Sequence, residues 1–267
     1  LLKQENKHIG FVPTMGALHI GHISLLKESQ KYNDISVVTI FVNPTQFNNP
    51  NDLENYPKTI EKDTVLLKKA GCDILYFPSV EDVYENGTVS NSYEFDGIED
   101  QMEGEFRTGH FNGVATVVQA FFEIITPDNA YFGKKDFQQL QIVKKMVEKK
   151  GLPVQVIGCE IFREKDGLAM SSRNVRLTST EREKAPFIFK TLTEIQQKFS
   201  TLSIDELNSY VTTQFSKQPL LNLEYFTIAD EISLKSASAT VPQKKYRAFI
   251  AVNIGAVRLI DNVSLAL

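Results

Sequence analysis

Two of the four histidines in this chain of 267 residues stand three positions apart in the stretch PTMGALHIGH, residues 13–22. His19 and His22 are accompanied by Gly16 and Gly21, which allow a backbone to approach a ligand closely. An imidazole can donate a hydrogen bond to a phosphate oxygen and stabilise charge that develops in a transition state. A helix beginning near His22 would add free N–H groups and the positive end of its dipole. The stretch therefore predicts a phosphate-binding loop.

Two other interpretations of this histidine pair are open. The rings could simply be satisfied inside a strand-to-helix turn, or lie on the surface by chance. His19 and His22 could also ligate zinc, but no third ligand stands at a suitable local spacing. The zinc interpretation is therefore the weaker one.

A second loop has the composition of a phosphate site. Gly133 precedes Lys134 and Lys135, and Asp136 stands at the expected start of a helix. Such a start presents free N–H groups to an anion, and the lysines add positive charge. The alternative for these residues alone is a solvated helix start.

Three further groups of polar side chains suit a small polar substrate. Residues 171–174, SSRN, supply two hydroxyls, a guanidinium and a carboxamide, although such a run also occurs in ordinary helix-entry loops. Gln46 and Gln139 each offer a donor and an acceptor for hydroxyl and carboxylate groups. Taken together, the loops predict a nucleotide site with a small polar substrate. Without an acidic cluster, we expect no metal ion held by the protein, and any Mg²⁺ would arrive on the phosphates.

The elements that must position these loops follow an α/β pattern. Short, nearly continuous apolar runs predict buried strands at residues 8–13, 34–44, 74–78, 130–133 and 152–162. Amphipathic segments predict the intervening helices at residues 21–32, 58–71, 113–127 and 136–151. This alternation implies right-handed crossovers and a Rossmann-like parallel sheet with helices on both faces. Ligands of such sheets bind beyond the carboxyl ends of the strands, where all these loops fall.

The pattern changes after Asn174, where we place a boundary between domains 1–174 and 175–267. Residues 178–181 and 203–206 fit the S/T-x-x-E capping box that opens a helix. Behind them, apolar runs predict a small antiparallel sheet from residues 223–230 and 247–262. We expect this smaller α+β domain to act as a lid over the site. Residues 79–112 are polar and rich in turns, and no element is assigned to them.

Composition excludes several classes of protein. The net charge of −4 argues against a large basic surface for nucleic acid. No stretch has the apolar length of a membrane span, and the first ten residues show no signal-peptide pattern. Cys72 and Cys159 stand far apart without a CxxC partner, which favours reduced core cysteines and a cytoplasmic location.

Taken together, the motifs of this sequence resemble those of a known family. Residues 19–22 spell HIGH, the signature of the nucleotidyltransferase superfamily that includes the class I aminoacyl-tRNA synthetases, and MSSRN resembles that superfamily's second phosphate-binding loop. More narrowly, five motifs between residues 9 and 263 stand in the order and spacing typical of the pantothenate synthetase family. They are PTMGALHIGH, FVNPTQF, RTGHFNGVATVV, YFGKKDFQQL and DGLAMSSRN.

That resemblance implies an activity and roles for particular residues. The family condenses pantoate with β-alanine, using ATP and Mg²⁺, through a pantoyl adenylate, on the route to vitamin B5 and coenzyme A, and a homodimer is implied. His22 matches the proton donor, His19 its phosphate-contacting companion and Lys135 the lysine that meets the ATP phosphates. The residues matched to ATP contacts are Met15, Gly16, Ala17, Leu18, His19, Ile20, Gly21, His22, Gly133, Lys134, Lys135, Asp136, Phe162, Met170, Ser171, Ser172 and Arg173.

The same resemblance assigns the small substrates. Gln46 and Gln139 match the glutamines that hold pantoate, with Gln46 also near β-alanine. Arg107 and His110 match residues that line the same site. No metal ligand on the protein is implied.

The sequence departs from the family at three positions and begins later than the family pattern. Lys134 stands where Glu is usual, Thr108 where Pro is usual, and Phe162 where a smaller aliphatic residue is frequent. We expect Lys134 to face solvent and the contact at position 162 to be made by the backbone. The late start is expected to remove a peripheral segment only.

Two rival functions follow from the same residues. A different nucleotidyltransferase, such as a short synthetase or a cytidylyltransferase, would share the HIGH loop, although the chain lacks a basic anticodon-binding region. A catalytically silent nucleotide sensor is the other rival. Two histidines, two lysines and two glutamines with catalytic or substrate-binding chemistry argue against it.

Overall fold

The computed structural model describes residues 5–48, 50–84 and 87–266. The chain divides into two compact units, Leu1–Glu160 and Ile161–Leu267, and the boundary predicted near Asn174 stays a prediction. An ion pair within the second unit accompanies this division. Arg163 forms a bidentate ion pair with Asp261, at 2.6 and 2.9 Å, which ties the segment before Asn174 to the last strand of that unit.

The first unit contains a five-stranded sheet in which every pair of neighbours is parallel, as the alternation of strands and helices predicts. Its spatial order is β3-β2-β1-β4-β5. The strands are β1 (Ile9–Thr14), β2 (Ile35–Ile40), β3 (Ile74–Tyr76), β4 (Asn129–Gly133) and β5 (Gln155–Cys159). The apolar runs at 34–44 and 152–162 overestimate β2 and β5. In the first case the chain turns at Pro44, which has no N–H for a sheet and begins a 3-10 turn, Pro44–Gln46.

Helices cover both faces of this sheet, because successive side chains of β1 point in opposite directions. Val12 belongs to the apolar cluster that contains Leu26 and Leu67, while the Phe11 ring meets Phe121 and Phe122 edge-on at 5.9 and 6.2 Å. The helices are α1 (Ile20–Ser29), α2 (Pro50–Glu54), α3 (Ile60–Lys69), α4 (Val80–Val83), α5 (Glu103–Phe106), α6 (His110–Ile125) and α7 (Phe137–Lys150). The unassigned stretch 79–112 holds α4, α5 and the start of α6, pieces too short to show an apolar period.

The second unit packs three helices on a three-stranded antiparallel sheet, which confirms the predicted sheet. Its elements are α8 (Ser179–Lys184), α9 (Phe187–Lys198), α10 (Ile204–Phe215), β6 (Asn222–Asp230), β7 (Tyr246–Ile254) and β8 (Val257–Leu265). Both predicted capping boxes are present, at Thr178–Glu181 and Ser203–Glu206. Leu192 and Leu207 bury completely in the core that this sheet shares with its helices.

The two cysteines and the helix lengths bear on the class of protein. Cys72 and Cys159 are free and pack, partly buried, against the same apolar cluster of the first unit. In the ranges that the structure describes, no helix combines the length and the apolar character that a membrane span requires.

Candidate active site

Three of the predicted loops follow strands at one edge of the parallel sheet. β2 and β3 lie on one side of β1, whereas β4 and β5 lie on the other, so the strand order switches between β1 and β4. A sheet of this kind binds its ligand at the carboxyl ends of the strands beside such a switch. Residues 15–22 follow β1, residues 134–136 follow β4, and the 3-10 turn Pro44–Gln46 follows β2.

The loop after β1 has an unusual backbone that is fixed by a buried carboxylate. Gly16 has φ +86° and Ala17 φ +49°, so two successive residues occupy the left-handed region. The Asp63 carboxylate, 2% exposed in α3, accepts hydrogen bonds from the Ala17 and Leu18 N–H groups at 2.9 Å each. Sequence analysis missed Asp63, because an acidic residue in the first turn of a helix is common and does not by itself indicate a distant contact.

The two histidines of the loop lie side by side. α1 begins at Ile20, earlier than the start expected near His22, so His19 is the residue that precedes the helix and both rings belong to its first turn. Their centroids are 4.0 Å apart. The His19 N–H donates to Nδ1 of His22 at 3.3 Å. An accepting Nδ1 leaves the proton of the neutral ring on Nε2, so His22 can offer an N–H donor there.

His22 is neutral at physiological pH. Burial, followed by the charges of His19 and Lys135, lowers its pKa to about 3. Before any ligand binds, the ring is therefore a hydrogen-bond donor and not an imidazolium cation. Lys135 supplies positive charge beside it, with its Nζ 3.6 Å from Oδ1 of Asp136.

Gln46 is held by a polar network at the end of β2. Its side chain is 8% exposed, donates from Nε2 to Sδ of Met15 at 3.2 Å, and accepts at Oε1 from Nδ2 of Asn43 at 3.1 Å. The Tyr84 hydroxyl bonds both Oδ1 of Asn43 and, at 2.7 Å, the Thr45 hydroxyl. Sequence analysis assigned no role to Asn43 or Tyr84. Tyr84 lies in the unassigned stretch, where sequence spacing gave no indication of this contact.

Arg107 and His110 converge on the backbone of the same glutamine. The Gln46 carbonyl accepts from Nδ1 of His110 at 2.8 Å and from Nη2 of Arg107 at 3.3 Å. Because a carbonyl can only accept, His110 carries its proton on Nδ1 and keeps a lone pair on Nε2. This protonation is the reverse of that in His22. The structure thus brings together the predicted residues Gln46, Arg107, His110 and Met15.

Burial of His110 predicts an acid-sensitive stability. Burial and then the charge of Arg107 lower its pKa to about 3, whereas the unfolded chain has the ordinary value of 6.5. A His whose pKa is depressed by folding contributes full stability above pH 6.5 and loses it as the pH falls towards 3. At pH 5 we expect this residue alone to remove about 2 kcal/mol from the free energy of unfolding.

Urea unfolding of the wild type and of His110→Asn at pH 8 and pH 5 measures this effect. Asn offers an amide donor near the position of Nδ1 but does not titrate, so its loss of stability at pH 5 should be smaller than that of the wild type by about 2 kcal/mol. Equal losses in the two proteins would contradict the assignment.

Gly113 in α6 sets the distance between that helix and the turn that carries Gln46. A Cβ at this position would lie 2.6 Å from the Thr45 carbonyl oxygen, and the carbonyl of Gly113 accepts from Asn43 at 3.1 Å. Alanine normally stabilises a helix by about 1 kcal/mol relative to glycine. We expect the clash with backbone to reverse the sign, so that Gly113→Ala lowers the free energy of unfolding by about 1–3 kcal/mol in urea titrations. A more stable variant would show that the turn can move away.

Comparison with known proteins identifies the family of this chain. The family profile described as Pantoate-beta-alanine ligase matches residues 1–264. The pantothenate synthetase of Flavobacterium psychrophilum is 54% identical over 263 residues, covering 98% of this chain and 93% of that protein. The chain belongs to the pantoate–β-alanine ligase family.

Solved structures agree with this assignment. The pantothenate synthetase of Thermus thermophilus matches with a TM-score of 0.90 and 39% identity, covering 96% of this chain and 92% of that one. The pantoate-beta-alanine ligase of Francisella tularensis, solved in complex with beta-gamma ATP and beta-alanine, matches with a TM-score of 0.81 and 40% identity, covering 99% and 91%. Membership of this ligase family confirms the predicted fold and removes the rival nucleotidyltransferases and the silent sensor.

Lys134 and Gln139, two family-matched residues after β4, have surroundings that bear on their predicted binding roles. The Lys134 side chain is 28% exposed and forms an ion pair with Glu160, so its ammonium is engaged by a neighbouring carboxylate. Gln139 is partly exposed on α7. Its neighbour Gln138 is 4% exposed and bonds the backbone of Ile98, Gln101 and Glu103, which gives it a structural role.

The remaining family-matched residues lie in the second unit, on a hairpin that pairs Phe162 with Met170 and on the turn that follows it. Phe162, 39% exposed, accepts through its carbonyl from the Met170 N–H at 3.0 Å, so the two positions are paired. The Ser171 hydroxyl accepts from the Arg173 N–H at 3.2 Å and opens a 3-10 turn, Ser172–Arg176. Buried Asn174 then bonds the Ala169 carbonyl and Glu164, which fixes the end of this segment.

In the described part of the chain, the structure shows no group of three or more His, Cys, Asp or Glu side chains that could hold an ion.

Proposed function

We propose that this chain condenses pantoate with β-alanine in an ATP-dependent reaction that passes through a pantoyl adenylate. One observation carries the proposal. The His22 Nε2–H donor, the Lys135 cation and the Gln46 network all follow strands of the sheet at the edge where the strand order switches. The complex of the Francisella tularensis relative with beta-gamma ATP and beta-alanine supports the choice of substrates.

In the first step a carboxylate oxygen of pantoate attacks the α-phosphorus of ATP, and the bond to the β-phosphate breaks to release pyrophosphate. The substrate supplies the nucleophile, so the residues of this chain need only position the reactants and stabilise charge. We assign the phosphates to Met15–His22 and Gly133–Asp136, where N–H donors, the His22 ring and the Lys135 ammonium can offset the negative charge that builds there.

In the second step the neutral amine of β-alanine attacks the acyl carbon of the adenylate. The bond between acyl carbon and phosphate oxygen breaks, AMP leaves, and the amine loses a proton. We assign pantoate to Gln46 and Gln139, with Arg107 and His110 beside them. The lone pair on Nε2 of His110 and the buried amide of Gln46 are groups that can hold hydroxyl or amine protons.

Magnesium belongs to this proposal as part of the substrate MgATP. Phosphate oxygens are the hard ligands that Mg²⁺ prefers, and it commonly reaches enzymes on them. We likewise assign Phe162 and Met170–Arg173 of the second unit to ATP contacts. A contact made by the main chain at position 162 would not depend on the size of the side chain. The hydrogen bond from the Met170 N–H to the Phe162 carbonyl supports this assignment, because it fixes the backbone there.

One experiment tests the function directly. The protein is mixed with ATP, Mg²⁺, pantoate and β-alanine, each component is omitted in turn, and AMP is quantified together with pantothenate. We expect pantothenate and AMP in equal amounts only when all are present. Pyrophosphate exchange into ATP should require pantoate and should be absent with amino acids or phosphoesters in its place. AMP formation that ignores pantoate would overturn the proposal.

Assembly and location remain proposals that rest on the family resemblance. A homodimer is testable by light scattering of the purified protein. The free cysteines suit the reducing cytoplasm, where we propose that the enzyme acts on small molecules and not on nucleic acid or membranes.

A further inference from the structure

Asp63 connects the outer helix α3 to the phosphate loop. Each oxygen of its carboxylate accepts one loop N–H, from Ala17 and from Leu18, at 2.9 Å. The Thr59 hydroxyl, just before α3, reaches both oxygens at 3.1 Å. With 2% of the residue exposed, water cannot replace these contacts. The carboxylate therefore has three donors, two loop N–H groups and one hydroxyl whose proton is shared between the oxygens, so two of the three come from the loop.

The loop needs such a support because its backbone is in a costly conformation. An L-residue in the left-handed region is disfavoured by roughly 1–2 kcal/mol relative to ordinary backbone. Ala17 has φ +49° without being glycine or asparagine. Two N–H groups held by one carboxylate offset that penalty. They also fix the direction in which the chain enters α1, where His19 and His22 stand.

We propose that Asp63 is a positioning residue for ATP: it holds residues 16–18 in the conformation that presents the His19–His22 turn to the nucleotide, without touching the nucleotide itself. The inference rests on the proposed placement of ATP along Met15–His22. It assigns a role in nucleotide binding to a carboxylate that lies in a different helix, 46 positions from Ala17.

Asp63→Asn tests this role with little change of shape. The amide has one oxygen, so one of the two loop N–H groups faces an NH₂ donor. Loss of one bond to a charged acceptor predicts a rise in the KM for ATP of roughly 10–100-fold. The KM for β-alanine, whose proposed contact is Gln46, should change less than about threefold, because the bonds of that residue to Asn43, Arg107 and His110 involve neither Asp63 nor residues 16–18.

The matched control is Asp230→Asn in the second unit. Asp230 is also a buried carboxylate that accepts two backbone N–H groups, from Ile232 and Ser233, and one hydroxyl, from Ser233. Asparagine keeps Oδ1, on which all three bonds end, but loses the charge that faces the Lys244 ammonium at 3.7 Å, so the variant should be less stable with an unchanged KM for ATP. If both variants alter ATP kinetics equally, the effect at Asp63 is one of general stability, and the proposal fails.

A rescue distinguishes loop geometry from helix stability. Glycine at position 17 relieves the left-handed penalty of Ala17, so Asp63→Asn combined with Ala17→Gly should recover about fivefold of the lost affinity for ATP, the ratio equivalent to 1 kcal/mol. No recovery in the double variant would overturn the role. If Asp63→Asn does not fold, Thr59→Val removes only the supporting hydroxyl and should raise the KM for ATP by roughly fivefold; an unchanged KM would then refute the proposal.

Failure of the function and failure of this inference give different results. Binding of a non-hydrolysable ATP analogue is measured by calorimetry for the wild type, His22→Ala and Asp63→Asn. If His22→Ala binds the analogue and turns over like the wild type, the proposed ATP site is wrong. If only Asp63→Asn behaves like the wild type, the site stands and the positioning role falls.

Discussion

His22→Ala is expected to lower the rate of AMP formation by about 10²–10⁴-fold while leaving the fold intact. The ring is neutral, because its pKa lies at about 3, and its Nδ1 is occupied by the His19 N–H. Only the Nε2–H remains to meet developing phosphate charge, and alanine removes it. Since the residue is partly exposed in the first turn of α1, its removal leaves no large cavity in the core.

The assay is a coupled measurement of AMP release at saturating substrate, with circular dichroism to verify folding. His8→Ala is the matched control, because His8 is exposed and precedes β1 at the amino end of the strand, away from the loops of the site. Near wild-type turnover in His22→Ala would refute the assigned role. His22→Gln keeps an amide N–H and should lose less activity than the alanine variant.

Lys135→Met should give the second largest effect, a fall in kcat/KM for ATP of about 10²–10³-fold. Methionine keeps the length and the apolar stem of the side chain but removes the positive charge. The Lys135 side chain is 19% exposed, and its charge is one of the causes that lower the pKa of His22. In a partly water-excluded site a lost cation weakens the stabilisation of a triphosphate strongly. Lys144→Met, at an exposed position in helix α7, which follows the turn that carries Lys135, provides the control.

The same variant has a second readout. The charge of Lys135 is one of the causes that lower the pKa of His22, so its removal should raise that pKa above about 3. The chain has only four histidines, which makes a titration of their ring signals by nuclear magnetic resonance practicable. If the His22 ring titrates with the same pKa in Lys135→Met as in the wild type, the ammonium is too far from the ring to act with it.

The strands and the helix caps show why some features of the fold could be predicted from the sequence. β1, β2 and β4 are buried on both faces, so their apolar runs predicted strands, and the parallel sheet follows from the helices between them. The capping boxes at Thr178 and Ser203 were read correctly because they are local, joining residues three apart. Where local signals compete, prediction was less exact, as at the ends of β2 and β5.

Contacts between distant segments were not readable. Asp63 bonds residues more than forty positions earlier, and Tyr84 reaches Asn43 across a similar interval. Nothing in the period of α3 or in the polar stretch 79–112 indicates those partners. The ion pair of Arg163 with Asp261 likewise joins residues 98 positions apart.

The amino-acid sequence by itself determined the chemistry of this protein: which loops bear imidazoles, lysines and glutamines, and that each follows a strand. Chain order suffices for this, because the ends of parallel strands share one edge of a sheet. Tertiary structure alone decided which tautomers His22 and His110 adopt, that Gln138 has a structural role, and that Asp63 supports the loop. Those properties depend on burial and on donors from remote segments, and they exist only when the chain is folded.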